Sequence, residues 1–180
     1  MIPCVMHIKT RWPGVVAAAM VAGLLWPAAA QAQKLVIVVR HAERADAGAG
    51  VPVPSMAGGA DPLLSAAGEA RAAKLSTMLA DAGITAIFAT EYHRTQDTAK
   101  PIASKLGLRV EQVKANDTAA LLAKLKSDHA RDVVLVVGHS NTLPDIIKGF
   151  GGPSVTIGDN EYDNIFIIVP GTGTVTRIRF

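Results

Sequence analysis

Two segments of this chain are apolar at almost every position, "KLVIVV" at residues 34–39 and "DVVLVVGH" at residues 132–139. A strand with one face in water alternates apolar and polar side chains. A run that is apolar and β-branched throughout needs cover on both faces. The chain must therefore build a central sheet with a layer above it and a layer below.

The segments between these runs have the composition of such layers. Ser65 can cap a helix over "AAGEARAAKLSTMLADAG", with Ala70, Leu75, Met78 and Leu79 on one face and a stop at Gly83. A strand follows in "ITAIFAT", then a helix from about Arg94 to Leu106 with Gly107 just past its end. "LRVEQV" reads as a third strand and "TAALLAKLKS" as a third helix, with Asn116 or Asp117 placed to cap it. After the second apolar run, "TLPDIIKGF" is a short helix with Pro144 in its first turn. The chain closes with "NIFIIVPGTGTVTRIRF", two strands around a glycine-rich turn. Strands alternating with helices imply crossover connections. The expected fold is α/β: a three-layer α/β/α sandwich, mainly parallel in its sheet, with helices on both faces.

The first thirty-odd residues stand apart. Lys9 and Arg11 precede the apolar "VVAAAMVAGLLW", and Ala30-Gln31-Ala32 offers small residues at cleavage spacing. This is the pattern of a secretory signal peptide over residues 1–32, with one domain over 33–180. The stretch is shorter than the roughly 18–20 apolar residues a spanning helix needs. The expectation is an exported protein, periplasmic or secreted, that meets a membrane only during export. Cleavage would remove Cys4, the one cysteine, and with it any disulfide or thiolate metal site. It would also leave 16 of the 18 Lys and Arg against 15 acidic residues, so the charge is nearly balanced. With few aromatics and no basic run, no nucleic-acid surface is expected.

Polar residues gather where the apolar strands end. The first strand runs into Arg40-His41, the second into "TEYHRT", and the fourth into Gly138-His139. Open α/β sheets bind ligands beyond the carboxyl ends of their strands. Singly, His41 reads as a polar surface residue, Arg94 as a solvated helix residue and His139 as a strand terminator. Three exits from buried strands carrying the same two residue types point instead to one crevice formed by Arg40, His41, Arg94 and His139. Guanidinium forks match the oxygens of a phosphoryl group. Residues 45–62, rich in Gly, Pro and Ala, read as a mobile loop able to cover that crevice.

"VVRHAE", "ATEYHRTQDTA" and "VVGHSN" resemble, in order and spacing, the three signature segments of the histidine phosphatase superfamily, in its phosphoglycerate mutase-like branch. With "DPLLSAAGEARAAKL" the resemblance covers residues 34 to about 170. It implies that His41 is the nucleophile and becomes phosphorylated, and that Arg40, Arg94 and His139 hold the phosphoryl oxygens. Thr90 and Thr98 fall in the Ser/Thr-x-x-x-Arg-x-x-x-Thr frame around Arg94, with Thr90 expected nearer the pocket and Thr98 packing. Arg44 reproduces the Arg-His-x-x-Arg spacing of another branch and, with Glu43, is a candidate for binding substrate.

Two departures bear on chemistry. Arg-His-Ala stands where the family has Arg-His-Gly, and the extra methyl is expected to narrow the pocket. The segment that carries the general-acid glutamate in mutases has no counterpart; Asp117 is the candidate, with Glu43 and Glu91 behind it. The expected activity is a metal-independent phosphatase with no cofactor, acting on a phosphorylated small molecule or a phosphoprotein. A phospho-ligand-binding module that lacks catalysis, a phosphoglycerate-type mutase, and a metallohydrolase built on His41, Glu43, His93 and His139 are the competing readings.

Overall fold

The structure, a computed structural model, describes residues 35–46 and 61–180. The leader-like segment and the centre of the glycine-rich loop lie outside the described residues. The described elements are β1 (Leu35–Arg40), α1 (Ala66–Met78), β2 (Ala86–Thr90), α2 (His93–Leu106) and β3 (Val110–Val113). They continue with α3 (Thr118–Ser127), β4 (Val133–Gly138), α4 (Leu143–Gly149), β5 (Asn164–Val169) and β6 (Thr174–Arg179).

One six-stranded sheet has the order β3-β2-β4-β1-β5-β6. The four strands from β3 to β1 are parallel, and β5 and β6 extend the sheet antiparallel from β1. Along β1, Val36 and Val38 face one core with α3 and α4, while Ile37 and Val39 face the other with α1 and α2. Cover on both faces is why the two apolar runs have no polar alternation. Each buried aliphatic or aromatic side chain contributes about 1.5–3 kcal/mol, so these two cores fix where the strands end.

The predicted elements are present, with two adjustments in α1. Its buried face is Gly68, Ala72, Leu75 and Ser76, continued by Leu79. Ala70 is exposed and Met78 is 45% exposed, so the face expected from the sequence is rotated. The cause is Gly68, which lies directly on the backbone of Glu43 and turns that side of the helix inward. The helix also closes at Met78, with the Leu79 N–H donating to the Leu75 carbonyl, and Gly83 ends the turn that follows. Gly107, left-handed at φ 67°, closes α2 where the sequence places it.

Candidate active site

The register of two strands creates the centre of the site. In the parallel pair β1–β4, Arg40 stands opposite Gly138. The next residue on each chain is a histidine, and the His41 N–H donates to the Gly138 carbonyl at 2.9 Å. The two imidazoles therefore emerge side by side, with ring centroids 5.3 Å apart. On the other side of β4, β2 ends in Thr90, whose Oγ1 lies 2.9 Å from Nε2 of His139. Four residues later, in the first turn of α2, comes Arg94.

Arg40, His41, Arg94 and His139 are all buried, with 9% exposure at most. Both arginine charges act on both imidazoles. The structure thus gathers the four residues into one place.

Each imidazole has a defined tautomer. Nδ1 of His41 lies 2.7 Å from the Ala42 carbonyl oxygen, which can only accept, so the proton is on Nδ1 and the lone pair on Nε2. For His139 the chain of hydroxyls decides. Thr95 donates to the carbonyls of Thr90 and Tyr92, so the Thr90 hydroxyl donates to Thr95 and accepts from Nε2–H of His139.

Burial pushes the His41 pKa down to about 2, against the Ala42 hydrogen bond and with help from His139, Arg40 and Arg94. Burial and the arginines push His139 down to about 3. The cation crowd at His41 is therefore the lesser cause, and desolvation the greater. His139 is thus neutral in the open site.

Stability should carry that signature. An unfolded histidine titrates near 6.5, whereas these two stay neutral in the folded chain until about pH 3 and about pH 2. Below about pH 6.5 the unfolded chain binds protons that the pocket refuses, so stability falls as pH falls. The carboxylates with lowered pKa lose their contribution only further down, below about 4.5. Thermal unfolding is thus expected to show Tm declining already between pH 7 and 5. A flat Tm across that interval would mean that the pocket holds its imidazoles charged.

Each arginine is fixed by an aromatic ring and an oxygen anchor. The Arg40 guanidinium lies 4.1 Å from the Tyr162 ring centroid and its Nη1 donates to the carbonyls of Gly158, Asp159 and Glu161. Arg94 lies 4.2 Å from the Tyr92 ring centroid, and its Nη1 pairs with Asp61 at 3.3 Å. Asp61 also accepts from the His93 N–H at 2.8 Å. In both arginines Nε is buried and has no partner among the described residues. Buried donors without acceptors are rare and costly, and an arriving oxyanion would satisfy them. Tyr162 and Tyr92 also flank the imidazoles, at 5.9 Å from His41 and 5.4 Å from His139.

Several predicted residues sit elsewhere. Glu43 is held by Arg71 of α1, with Nη2 2.6 Å and Nε 2.9 Å away, and is not free to bind substrate. Burial would raise its pKa, but the Arg71 hydrogen bonds and charge outweigh this and hold it below the usual carboxylate range, which removes it as an acid. Arg44 forms a two-pronged pair with Asp46, although its charge still acts on Arg40, Arg94 and His139. Asp117 is exposed and caps α3 through the Ala120 N–H. Glu91 accepts from the Ala115 N–H.

Thr98 is more than packing: it accepts from the Ala42 N–H and donates to the Arg94 carbonyl, tying the loop after His41 to α2. The Ala42 methyl does not narrow the pocket. It packs with Leu64 and Ala72 beneath the loop. Among the described residues no group of three His, Cys, Asp or Glu stands close enough to hold a metal ion, so the set His41, Glu43, His93 and His139 is not assembled.

Asp61, Thr95, Tyr92 and Tyr162 were not singled out in the sequence. Tyr92 is two residues from Arg94 and Asp61 opens the helix signature, so proximity to motifs could have found both. Tyr162 lies in a polar stretch without a motif.

Residues 36–117 match the histidine phosphatase superfamily (branch 1), a span that includes Arg40, His41 and Arg94. No curated protein matches the sequence. Among solved structures, the α-ribazole phosphatase from Shigella flexneri is 18% identical, with a TM-score of 0.63 over 81% of this chain and 95% of that one. The phosphoserine phosphatase from Entamoeba histolytica, complexed with 3-phosphoglyceric acid, is 14% identical with a TM-score of 0.61 over 82% and 96%. The protein histidine phosphatase SixA, complexed with tungstate, is 16% identical with a TM-score of 0.58 over 80% and 94%. At these identities the likeness is one of fold, the phosphoglycerate mutase-like fold. The matched segment, its strand-exit motifs and this fold agree: residues 36–117 match the histidine phosphatase superfamily (branch 1), carried on a phosphoglycerate mutase-like fold.

Proposed function

We propose that this protein is a metal-independent phosphatase that hydrolyses phosphomonoesters or protein phosphohistidine through a phosphohistidine on His41. The observation that carries this is His41 itself: neutral, with its tautomer fixed by Ala42 and its Nε2 lone pair beside two arginines with open Nε donors. In the first step that lone pair forms the N–P bond, and the P–O bond breaks with its electron pair going to the leaving oxygen. Negative charge spreads over the equatorial oxygens, where Arg40 and Arg94 stabilise it. His139 takes up a proton as the anion arrives, since a nearby negative charge favours the imidazolium. In the second step water attacks phosphorus and the N–P electron pair returns to Nε2.

For the proton of that water we assign Asp61 in place of Asp117. All fifteen acidic residues lie within the described residues, and among these Asp61 is the one whose carboxylate is hydrogen-bonded to a member of the four. Asp61→Asn is expected to lower kcat about 100-fold and to let the phosphoenzyme accumulate, whereas Asp117→Asn should leave kcat unchanged and barely affect stability, since Asn caps a helix about as well as Asp. Equal rates in Asp61→Asn and the parent protein, measured by single-turnover kinetics, would remove this role.

The function is tested with an aryl phosphate and a phosphohistidine peptide in the presence of EDTA. Release of inorganic phosphate and an acid-labile phosphoenzyme are expected. Tight phosphate binding without turnover would convert the reading to a binding module, and an isomerised phosphoester would convert it to a mutase. The leader-like residues 1–32 support substrates met outside the cytoplasm.

A further inference from the structure

Arg40 is anchored by a turn whose shape depends on one carboxylate. The turn runs from Gly158 to Glu161, between α4 and β5, and three of its carbonyls accept from Nη1 of Arg40 at 2.9, 2.8 and 3.3 Å. The Glu161 N–H donates to the Gly158 carbonyl at 3.0 Å, and the Glu161 Oε2 accepts from the Gly158 N–H at 2.9 Å. Glu161 thus closes the turn from both its backbone and its side chain. Its carboxylate is held in turn from β6, by Arg179 on Oε1 at 2.5 Å and Arg177 on Oε2 at 3.2 Å. Arg177 is fixed by Asn164 of β5 at 2.7 Å. Ion pairs as exposed as these contribute little to stability, so stability alone is a weak reason for gathering two arginines on one carboxylate.

We infer that Glu161 is a positioning residue for the oxyanion site: by closing the 158–161 turn it stacks three carbonyls on Nη1 of Arg40 and so aims the rest of that guanidinium at the phosphoryl group. The inference rests on the proposed function for its catalytic meaning. The antiparallel strands β5 and β6, which contribute none of the four site residues, become the support of one of them. The order of dependence is β6 arginines, Glu161, turn carbonyls, Arg40, oxyanion.

The test is a double-mutant cycle read by calorimetry with tungstate as the oxyanion probe, together with KM and kcat for an aryl phosphate. Glu161→Ala is expected to weaken tungstate binding and raise KM about tenfold, with a smaller effect on kcat, as loss of a positioned charge-assisted contact implies. In an Arg40→Ala background, Glu161→Ala should weaken tungstate binding no further. Glu161→Gln, whose amide oxygen can still accept from Gly158, should recover part of the loss. If Glu161→Ala does not fold, the pair Arg177→Ala and Arg179→Ala removes the same support from β6 and should show the same dependence on Arg40.

Additive losses in the two backgrounds, or no loss of tungstate affinity in Glu161→Ala, would overturn the inference. The calorimetry needs no turnover. A parent protein that binds tungstate but hydrolyses nothing would overturn the proposed function while leaving the coupling of Glu161 to Arg40 to be read on its own.

Discussion

His41→Ala should abolish hydrolysis of an aryl phosphate, with a loss of roughly a thousandfold or more, as removal of a covalent nucleophile produces elsewhere. The same variant should take no label from a labelled phosphoester, while the parent protein should retain acid-labile phosphate on a histidine. The physical ground is that no other group in the cluster can replace Nε2. In the structure His139 directs its Nε2–H to Thr90, and both arginines remain protonated even though burial lowers their pKa. Removing His41 also leaves the Ala42 carbonyl without its imidazole donor, so the variant's Tm has to be compared with the parent's before the activity is read. Folded His41→Ala protein with more than about a tenth of parental kcat would refute the covalent route, whatever else the pocket does.

What was legible in the sequence follows from what is local. The run "LVIVV" and the run "VVLVV" announce a covered sheet because every residue in them needs an apolar neighbour, and the structure supplies one on each face. The convergence of His41 and His139 was legible too. Both follow a buried strand directly, and parallel neighbours in register deliver them together. Ser65, Gly107 and Asp117 behaved as capping residues because capping involves only a few residues of local chain. Asp117 shows the cost of the same locality: a cap and a catalytic acid look alike in sequence, and the Ala120 N–H distinguishes them only in space.

The rest depends on partners far along the chain. Glu43 reads as a free carboxylate close to His41 until Arg71 of α1 is placed against it. Tyr162 and the carbonyls of residues 158, 159 and 161 reach Arg40 across separations of 118 or more positions, which no motif records. The main source of the His41 pKa shift is also beyond what neighbours in sequence reveal. Sequence shows adjacent charges, but burial is a property of the assembled fold, and here it is the larger influence.

Gly68→Ala tests how strictly that assembled fold positions His41. In the middle of an exposed helix this change would stabilise by about 1 kcal/mol through helix propensity. Here the added methyl carbon would lie 2.2 Å from the Glu43 carbonyl oxygen and 3.0 Å from its nitrogen. These are backbone atoms that no rotamer change can move aside. The same oxygen also accepts from the Ser65 N–H, so α1 and the loop after His41 cannot separate without breaking the contact that starts the helix. Overpacking of this kind costs typically 1–3 kcal/mol, and a backbone clash belongs at the upper end, so a net loss of about 2 kcal/mol is expected. For a domain of this size that corresponds to a Tm lower by about 4–8 °C. Activity should fall further than stability requires, because Glu43 adjoins Ala42, whose carbonyl fixes the His41 tautomer and whose N–H is tied to Thr98. The expected result is a folded variant with reduced kcat at temperatures well below its Tm. A Gly68→Ala protein as stable and active as the parent would mean that the loop carrying His41 adapts freely to α1, and that the tautomer is set by something other than this packing.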